Sequence, residues 1–210
     1  MKRIFALSIV ILLTMSCSFT ATLMAQDDVM QQAMEGYKQL TTVKANVKKT
    51  VHTSDAKDVV TMGTFYFKKP MQMCIATNGG KDKLLADGKS VTFVQDGKAS
   101  TVNAKNDASL APLVEAIKGI TQGNEDTDLS DVADVDVERK GDLVIMTIAP
   151  FAKNAAEKRK MKFTSYVITV DSKVGELRSI QLNEQGQNYQ LFSLSNFQKD
   201  VKIDDSVFKK

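Results

Sequence analysis

Side chains able to do chemistry are few in this 210-residue chain: one histidine, two cysteines and no tryptophan. His52 ends a run in which Lys48 and Thr50 share its parity, so a solvent-facing strand position accounts for it better than a catalytic base does. One histidine and the one cysteine beyond the signal-like first 25 residues, Cys74, exclude a zinc site dominated by His and Cys. The acidic stretch Glu125, Asp126, Asp128, Asp131, Asp134 and Asp136 lacks the central glycine and closing glutamate of an EF-hand loop, and reads as a solvated loop. Gly79-Gly80-Lys81 has neither the upstream glycine nor the downstream helix of a phosphate loop, and reads as a hairpin turn. The expectation is a protein that is not an enzyme and holds no metal or cofactor.

Two other groups suggest binding. Lys153, Lys158, Arg159, Lys160 and Lys162 form a basic loop between two strands, solvated or suited to an acidic partner or anionic lipid head groups. Methionines recur at 30, 34, 62, 71, 73, 146 and 161. Their unbranched, polarizable side chains adapt to ligands of variable shape, although core filling is an equal use.

The first 25 residues read as a cleavable signal peptide: Lys2 and Arg3, then an uncharged apolar run from Ile4 to Met15, with cleavage after Ala25. That run is too short to span a membrane as a helix. Lipidation at Cys17 is the alternative, but such sites usually carry leucine three residues earlier, where Thr14 stands. Export to the periplasm leaves Cys74 as a lone thiol, flanked by Met73 and Ile75 and therefore expected in the core. Without Lys2 and Arg3, 26 basic residues face 25 acidic ones, a balance that argues against nucleic acid as a partner. Residues 26–210 fit one domain.

These residues must be positioned mainly by strands. Met30, Ala33, Met34, Tyr37 and Leu40 recur at helical spacing and predict an amphipathic helix over 28–41. From Val43 the period changes to two, and β-branched or aromatic runs predict strands near 59–68, 71–77, 82–86, 90–95 and 99–103, with hairpins at Asp87-Gly88 and Asp96-Gly97. Leu110, Leu113, Val114 and Ile117, with Pro112 in the first turn, predict a helix over 109–120. Further strands are expected near 132–139, 142–149, 161–171, 176–183 and 188–197. The fold class is therefore mainly β (α+β), a closed barrel or an incomplete antiparallel one of 10–11 strands, with an N-terminal helix and a mid-chain helix across the mouth. Strands apolar on both faces, such as 143–149, need cover on both sides or a concave face kept greasy for a ligand.

The run Gly63 to Pro70 (GTFYFKKP), followed by Leu84 to Lys89 (LLADGK) and Val91 to Val94 (VTFV), resembles the LolA family of periplasmic lipoprotein carriers. There a G-x-[FL]-x-[FV]-x-[RK]-P strand end precedes an S/A-D-G-K hairpin, and the likeness continues through Pro112, Val144 to Pro150 and Gly175 to Leu194. The resemblance implies an incomplete barrel of about eleven strands whose helices form a lid over an apolar cavity. It implies a monomeric periplasmic chaperone that takes acylated lipoproteins from an inner-membrane ABC transporter complex and delivers them to an outer-membrane acceptor. A lipid- or lipoprotein-sensing regulator on the same fold is the alternative. Lys69 falls where the family often has an arginine that takes part in cargo transfer; lysine keeps the charge but loses the planar fork of donors. Met73, Leu84, Leu113 and Ile117 fall on positions that line the family's cavity.

Overall fold

The computed structural model describes residues 37, 39–122 and 129–210. Eleven antiparallel strands form one sheet: β1 (Thr42–His52), β2 (Val59–Lys68), β3 (Gln72–Thr77), β4 (Asp82–Ala86), β5 (Ser90–Gln95), β6 (Lys98–Asn103), β7 (Ala133–Lys140), β8 (Leu143–Pro150), β9 (Phe163–Asp171), β10 (Glu176–Glu184) and β11 (Tyr189–Lys199). Their order is β6-β5-β4-β3-β2-β1-β11-β10-β9-β8-β7. Two hairpin meanders therefore meet where the first strand pairs with the last. The sheet is not closed into a barrel, so the half-barrel alternative holds, and β6 and β7 are its free edges. On β7 the exposed Asp134, Asp136, Glu138 and Lys140 put charge on the edge, which discourages pairing with another chain.

The predicted strands match closely, while the basic segment read as a loop contains a short helix, α2 (Ala155–Lys160). There the Asn154 side chain accepts from the Glu157 N–H and the Glu157 carboxylate accepts from the Lys153 N–H. This reciprocal cap is what the charge pattern alone did not reveal. The mid-chain helix, α1 (Ala111–Gln122), begins two residues later than expected. Of the predicted N-terminal helix only Tyr37 and residues 39–41 are described, Tyr37 with helical backbone, and the rest lies outside the described residues. Glu125, Asp126 and Asp128 also lie outside them, whereas Asp131, Asp134 and Asp136 are exposed.

Register sets which residues share the concave face. Val43, Ala45 and Val47 pair with Phe67, Phe65 and Gly63, and the last two rows continue through Ile75 and Leu84 to Phe93, and through Thr77 to Asp82. Gly63 is required by this packing, because a Cβ there would lie 2.1 Å from the Ala76 carbonyl oxygen. On the other wing Leu182, Ile180 and Leu177 pair with Tyr166, Ile168 and Val170. The register of β10 on β9 slips between Leu177 and Ser179, and pairing with β11 starts only at Ser179. The buried Tyr37 hydroxyl accepts the Leu177 N–H at 3.0 Å, while its ring packs edge-on against Phe67. One side chain thus ties the two wings together and meets a buried backbone donor.

The convex face is covered by the chain after β11. Thr41 donates its N–H and hydroxyl to Asp200, Lys68 donates to Asp205 at 2.5 Å, and Lys210 donates to Thr101 at 2.8 Å. Phe208 and Lys210 share a surface pocket with Leu85, Thr92 and Thr101, and Cys74 is fully buried. This strap explains why β3 is apolar on both faces. Burial pushes the Cys74 thiol from its ordinary 9.0 up to about 11. At pH 8 a thiol reagent should label Cys74 about 100-fold more slowly in the native protein than in urea, because only the thiolate reacts. Deleting residues 203–210 should narrow that ratio, and equal rates in the intact protein would contradict the burial.

Candidate functional site

Helix α1 lies in the link between the two free edges, since β6 precedes it and β7 follows it. Its entry is tightly held. Asp107 Oδ1 accepts from the Ser109 N–H (2.9 Å), the Ser109 hydroxyl (2.6 Å) and the Leu110 N–H (3.1 Å), and the Asp107 carbonyl accepts the Ala111 N–H. Pro112 occupies the first turn, where its missing N–H costs nothing. From the concave face, the buried Tyr166 hydroxyl donates to the Ser109 carbonyl, and burial raises the Tyr166 pKa well above its usual value.

At the other end the Gln122 amide donates to the Pro70 carbonyl (3.1 Å), and the Thr121 hydroxyl lies 3.5 Å from the Met71 sulfur. The Asp87-Gly88 hairpin closes beside it: Gly88 has φ +80°, and a Cβ would come within 2.9 Å of Met71. Eight of the twelve residues of α1 are buried, so the helix is seated in the trough rather than laid over its rim.

Between helix and sheet is a wholly apolar seam lined by Met73, Leu84, Ala86, Val91, Phe93, Leu110, Leu113, Val114, Ile117 and Leu182. Four of the residues singled out in the sequence, Met73, Leu84, Leu113 and Ile117, therefore meet in one place. Lys69 is not among them. It sits in the β2–β3 turn that receives the end of α1, donates its backbone N–H to the Thr41 carbonyl at 2.9 Å and lies close enough to Asp200 to help hold that carboxyl below the usual range, an effect due first to the hydrogen bonds from Thr41. The seam measures about 10 Å³. That is at the threshold for one water molecule, whereas sites for small ligands usually measure about 300–1,000 Å³.

The trough widens away from Pro70. A pocket of about 240 Å³ is lined by Ile75, Leu84, Phe93, Leu182 and Phe192 together with Lys49, Thr77, Asp82, Lys162 and Gln190. Beside it a groove of about 500 Å³ opens between Phe93, Val102, Leu110, Phe163 and Lys162. Phe93 and Leu110 line both groove and seam, and Leu84, Phe93 and Leu182 line both pocket and seam. The three spaces thus lie side by side along the concave face and share walls.

Lys49 was missed by the sequence reading, which named Lys162 only as one of the basic loop residues. Lys49 falls on the inward parity of Val43, Ala45, Val47 and Val51, and that break in an apolar row was the available signal. Its ammonium lies 5.7 Å from the Phe192 ring centre, and Lys162 lies 4.7 Å from that of Phe93 and 5.1 Å from that of Phe163. Burial holds the Lys49 pKa below the usual lysine value; Asp82 opposes this, Lys162 adds to it, and Glu184 opposes it.

The groups considered for catalysis are elsewhere. His52 stacks on Tyr189 and pairs through Nδ1 with Asp58 at 2.7 Å in the β1–β2 region, half-exposed. Gly79 and Gly80 form an exposed turn between β3 and β4. Among the described residues, no three His, Cys, Asp or Glu side chains cluster as metal ligands, and no helix is long and apolar enough to cross a membrane.

Residues 38–210 match the model of the family described as outer membrane lipoprotein carrier protein LolA. No curated protein matches the sequence. Among solved structures, the chain is similar to a LolA superfamily protein from Nitrosomonas europaea, with 9% identity over 87% of this chain and 96% of the other and a TM-score of 0.42. It is also similar to a putative outer membrane lipoprotein-sorting protein domain from Vibrio parahaemolyticus, with 6% identity over 87% and 95% and a TM-score of 0.47. The lipoprotein LppX of Mycobacterium tuberculosis aligns at 13% identity over 85% and 97%, with a TM-score of 0.40.

The seam makes a direct stability claim. Ile117→Ala should lower the unfolding free energy by about 2–5 kcal/mol, the range for truncating a buried Ile or Leu. Glu115→Ala, on the partly exposed face, should stay within about 0.5 kcal/mol. Urea unfolding measures both, and equal effects would contradict a packed seam.

Proposed function

The chain belongs to the LolA family of outer membrane lipoprotein carrier proteins, and on that premise we propose that it is a periplasmic chaperone that shelters the acyl chains of lipoproteins between α1 and the concave face. In this reading residues 1–25 are a cleaved signal peptide and residues 26–210 a single carrier domain that acts as a monomer without catalysis. An inner-membrane ABC transporter complex is the donor and an outer-membrane protein the acceptor.

The observation that carries the reading is the seam, an entirely apolar interface between one helix and the sheet. It is too small for an acyl chain as it stands, so uptake requires α1 to give way. The energies make that exchange reversible. An acyl chain of about fifteen methylenes gains on the order of 12 kcal/mol on leaving water, at about 0.8 kcal/mol each. The helix and the residue before it give up Leu110, Leu113, Val114 and Ile117, which at about 1.5–3 kcal/mol apiece is of the same order. Cargo and lid thus compete for one surface, and neither holds it irrevocably. Met73 and Leu84 on the sheet line the binding surface, and Leu113 and Ile117 are the lid residues that cargo displaces. Lys69 stands at the hinge end, where the backbone of its turn receives Gln122, and acts in hand-over rather than in holding the chains.

Two outcomes are expected. Native mass spectrometry of the purified protein with a triacylated lipopeptide should show a one-to-one complex, and the same peptide without acyl chains should not bind; no uptake of the acylated form would overturn the proposal. With loaded protein, Lys69→Leu should leave the complex intact and slow transfer to acceptor vesicles, and an unchanged transfer rate would remove Lys69 from the mechanism.

A further inference from the structure

The wide end of the trough carries charge that the acyl-chain reading leaves unused. Lys49 and Lys162 line the same 240 Å³ pocket, whose floor is Ile75, Leu84, Leu182 and Phe192. Neither ammonium has a hydrogen bond or ion pair among the described residues; what each has is an aromatic face. The nearest carboxylates have found neutral donors instead. Asp82 accepts the Asp96 N–H at 3.3 Å, and Glu184 accepts from the Gln190 amide at 2.8 Å. Lys83, which also lines the pocket, donates to the Lys209 carbonyl.

An aromatic face offsets only part of the desolvation of an ammonium, about 0.5–2 kcal/mol. Two like charges in one half-buried pocket also repel, which agrees with the lowered pKa of Lys49. A row otherwise built of Val43, Ala45, Val47 and Val51 has no packing reason for a lysine at its fourth place. An anion between the two ammonium groups would relieve both costs. The apolar floor continues into the seam through Leu84, Phe93 and Leu182, so the occupant has a charged head at the lysines and apolar tails toward α1.

We propose that the trough binds an anionic phospholipid, with its phosphate between Lys49 and Lys162 and its acyl chains entering the seam beneath α1. The proposal rests on the acyl-carrier reading and adds the head group to it. The phosphate is held by point charges, because lysines lack the fork that would fix a bidentate geometry.

The test is a competition read by native mass spectrometry on the full mature chain. The probes are phosphatidylglycerol, diacylglycerol with identical chains, and glycerol 3-phosphate. The wild-type protein should retain phosphatidylglycerol over diacylglycerol by about tenfold or more, the factor that a charge-assisted contact supplies. K49Q/K162Q should lose that preference while still taking up diacylglycerol, and K49R/K162R, which keeps both charges, should retain it. Equal retention of the two lipids by the wild type, or a preference that survives in K49Q/K162Q, would overturn the assignment of the head group. Displacement of lipid by glycerol 3-phosphate as effectively as by phosphatidylglycerol would make the site one for soluble phosphate and overturn the lipid proposal. Binding of neither lipid would overturn the phospholipid proposal, and the carrier reading would fall with it only if the triacylated lipopeptide were not taken up either.

Discussion

A sheet that curls without closing has to cover its own concave face. In a closed barrel the strands opposite do this; here β6 and β7 are the free edges, and the face between them carries Phe65, Phe67, Ile75, Tyr166, Ile168 and Ile180, all almost fully buried. Among the described residues, the link holding α1 is what joins those edges. At about 25 cal/mol per Å² of apolar surface removed from water, the helix is drawn into the trough whatever its own propensity. That one constraint explains the collapsed seam, the capped entry at Asp107 and the polar ties at Tyr166, Pro70 and Met71. On the proposed reading it also makes the helix replaceable, because burial is non-directional and an acyl chain would satisfy the same surface.

The polar groups give this greasy trough a direction. At one end the β2–β3 turn, with Lys69 and Pro70, receives the C-terminal end of α1. At the other, the rows of aliphatic side chains end in Lys49, Thr77, Asp82 and Gln190, and the walls open into the groove beside Phe163. Tyr37 binds the wings of the sheet across this axis through Phe67 and Leu177, and the strap at 201–210 seals the convex side over β3 and β4. Rigid walls with one replaceable element between them suit a protein whose work is to open and close on something apolar.

Much of the fold was legible because hairpin chemistry and period-two alternation are local. Asp87-Gly88 and Asp96-Gly97 mark turns by the positive φ their glycines adopt, and the stripe Leu110, Leu113, Val114 and Ile117 marks a helix by spacing. Met73 and Leu84 could be placed on an inward face, but alternation does not tell a filled trough from an empty one, since the same residues line both. The strap was not legible: its bonds with Thr41, Lys68, Lys83 and Thr101 join residues more than a hundred positions apart. Lys49 was hidden in plain alternation, since its meaning appears only when β11 brings Phe192 opposite it and Lys162 arrives from the segment before β9.

The central claim is that α1 and the cargo occupy the same surface by turns. Double electron–electron resonance reads it directly, with spin labels at Glu115 on the helix and Asp136 on β7 in a Cys74→Ser background, before and after loading with a triacylated lipopeptide. The account predicts a distance distribution that lengthens by the width of an acyl chain on loading and returns on release. A distribution that stays unchanged while lipopeptide is bound would contradict it, because the chains would then lie somewhere other than beneath the helix.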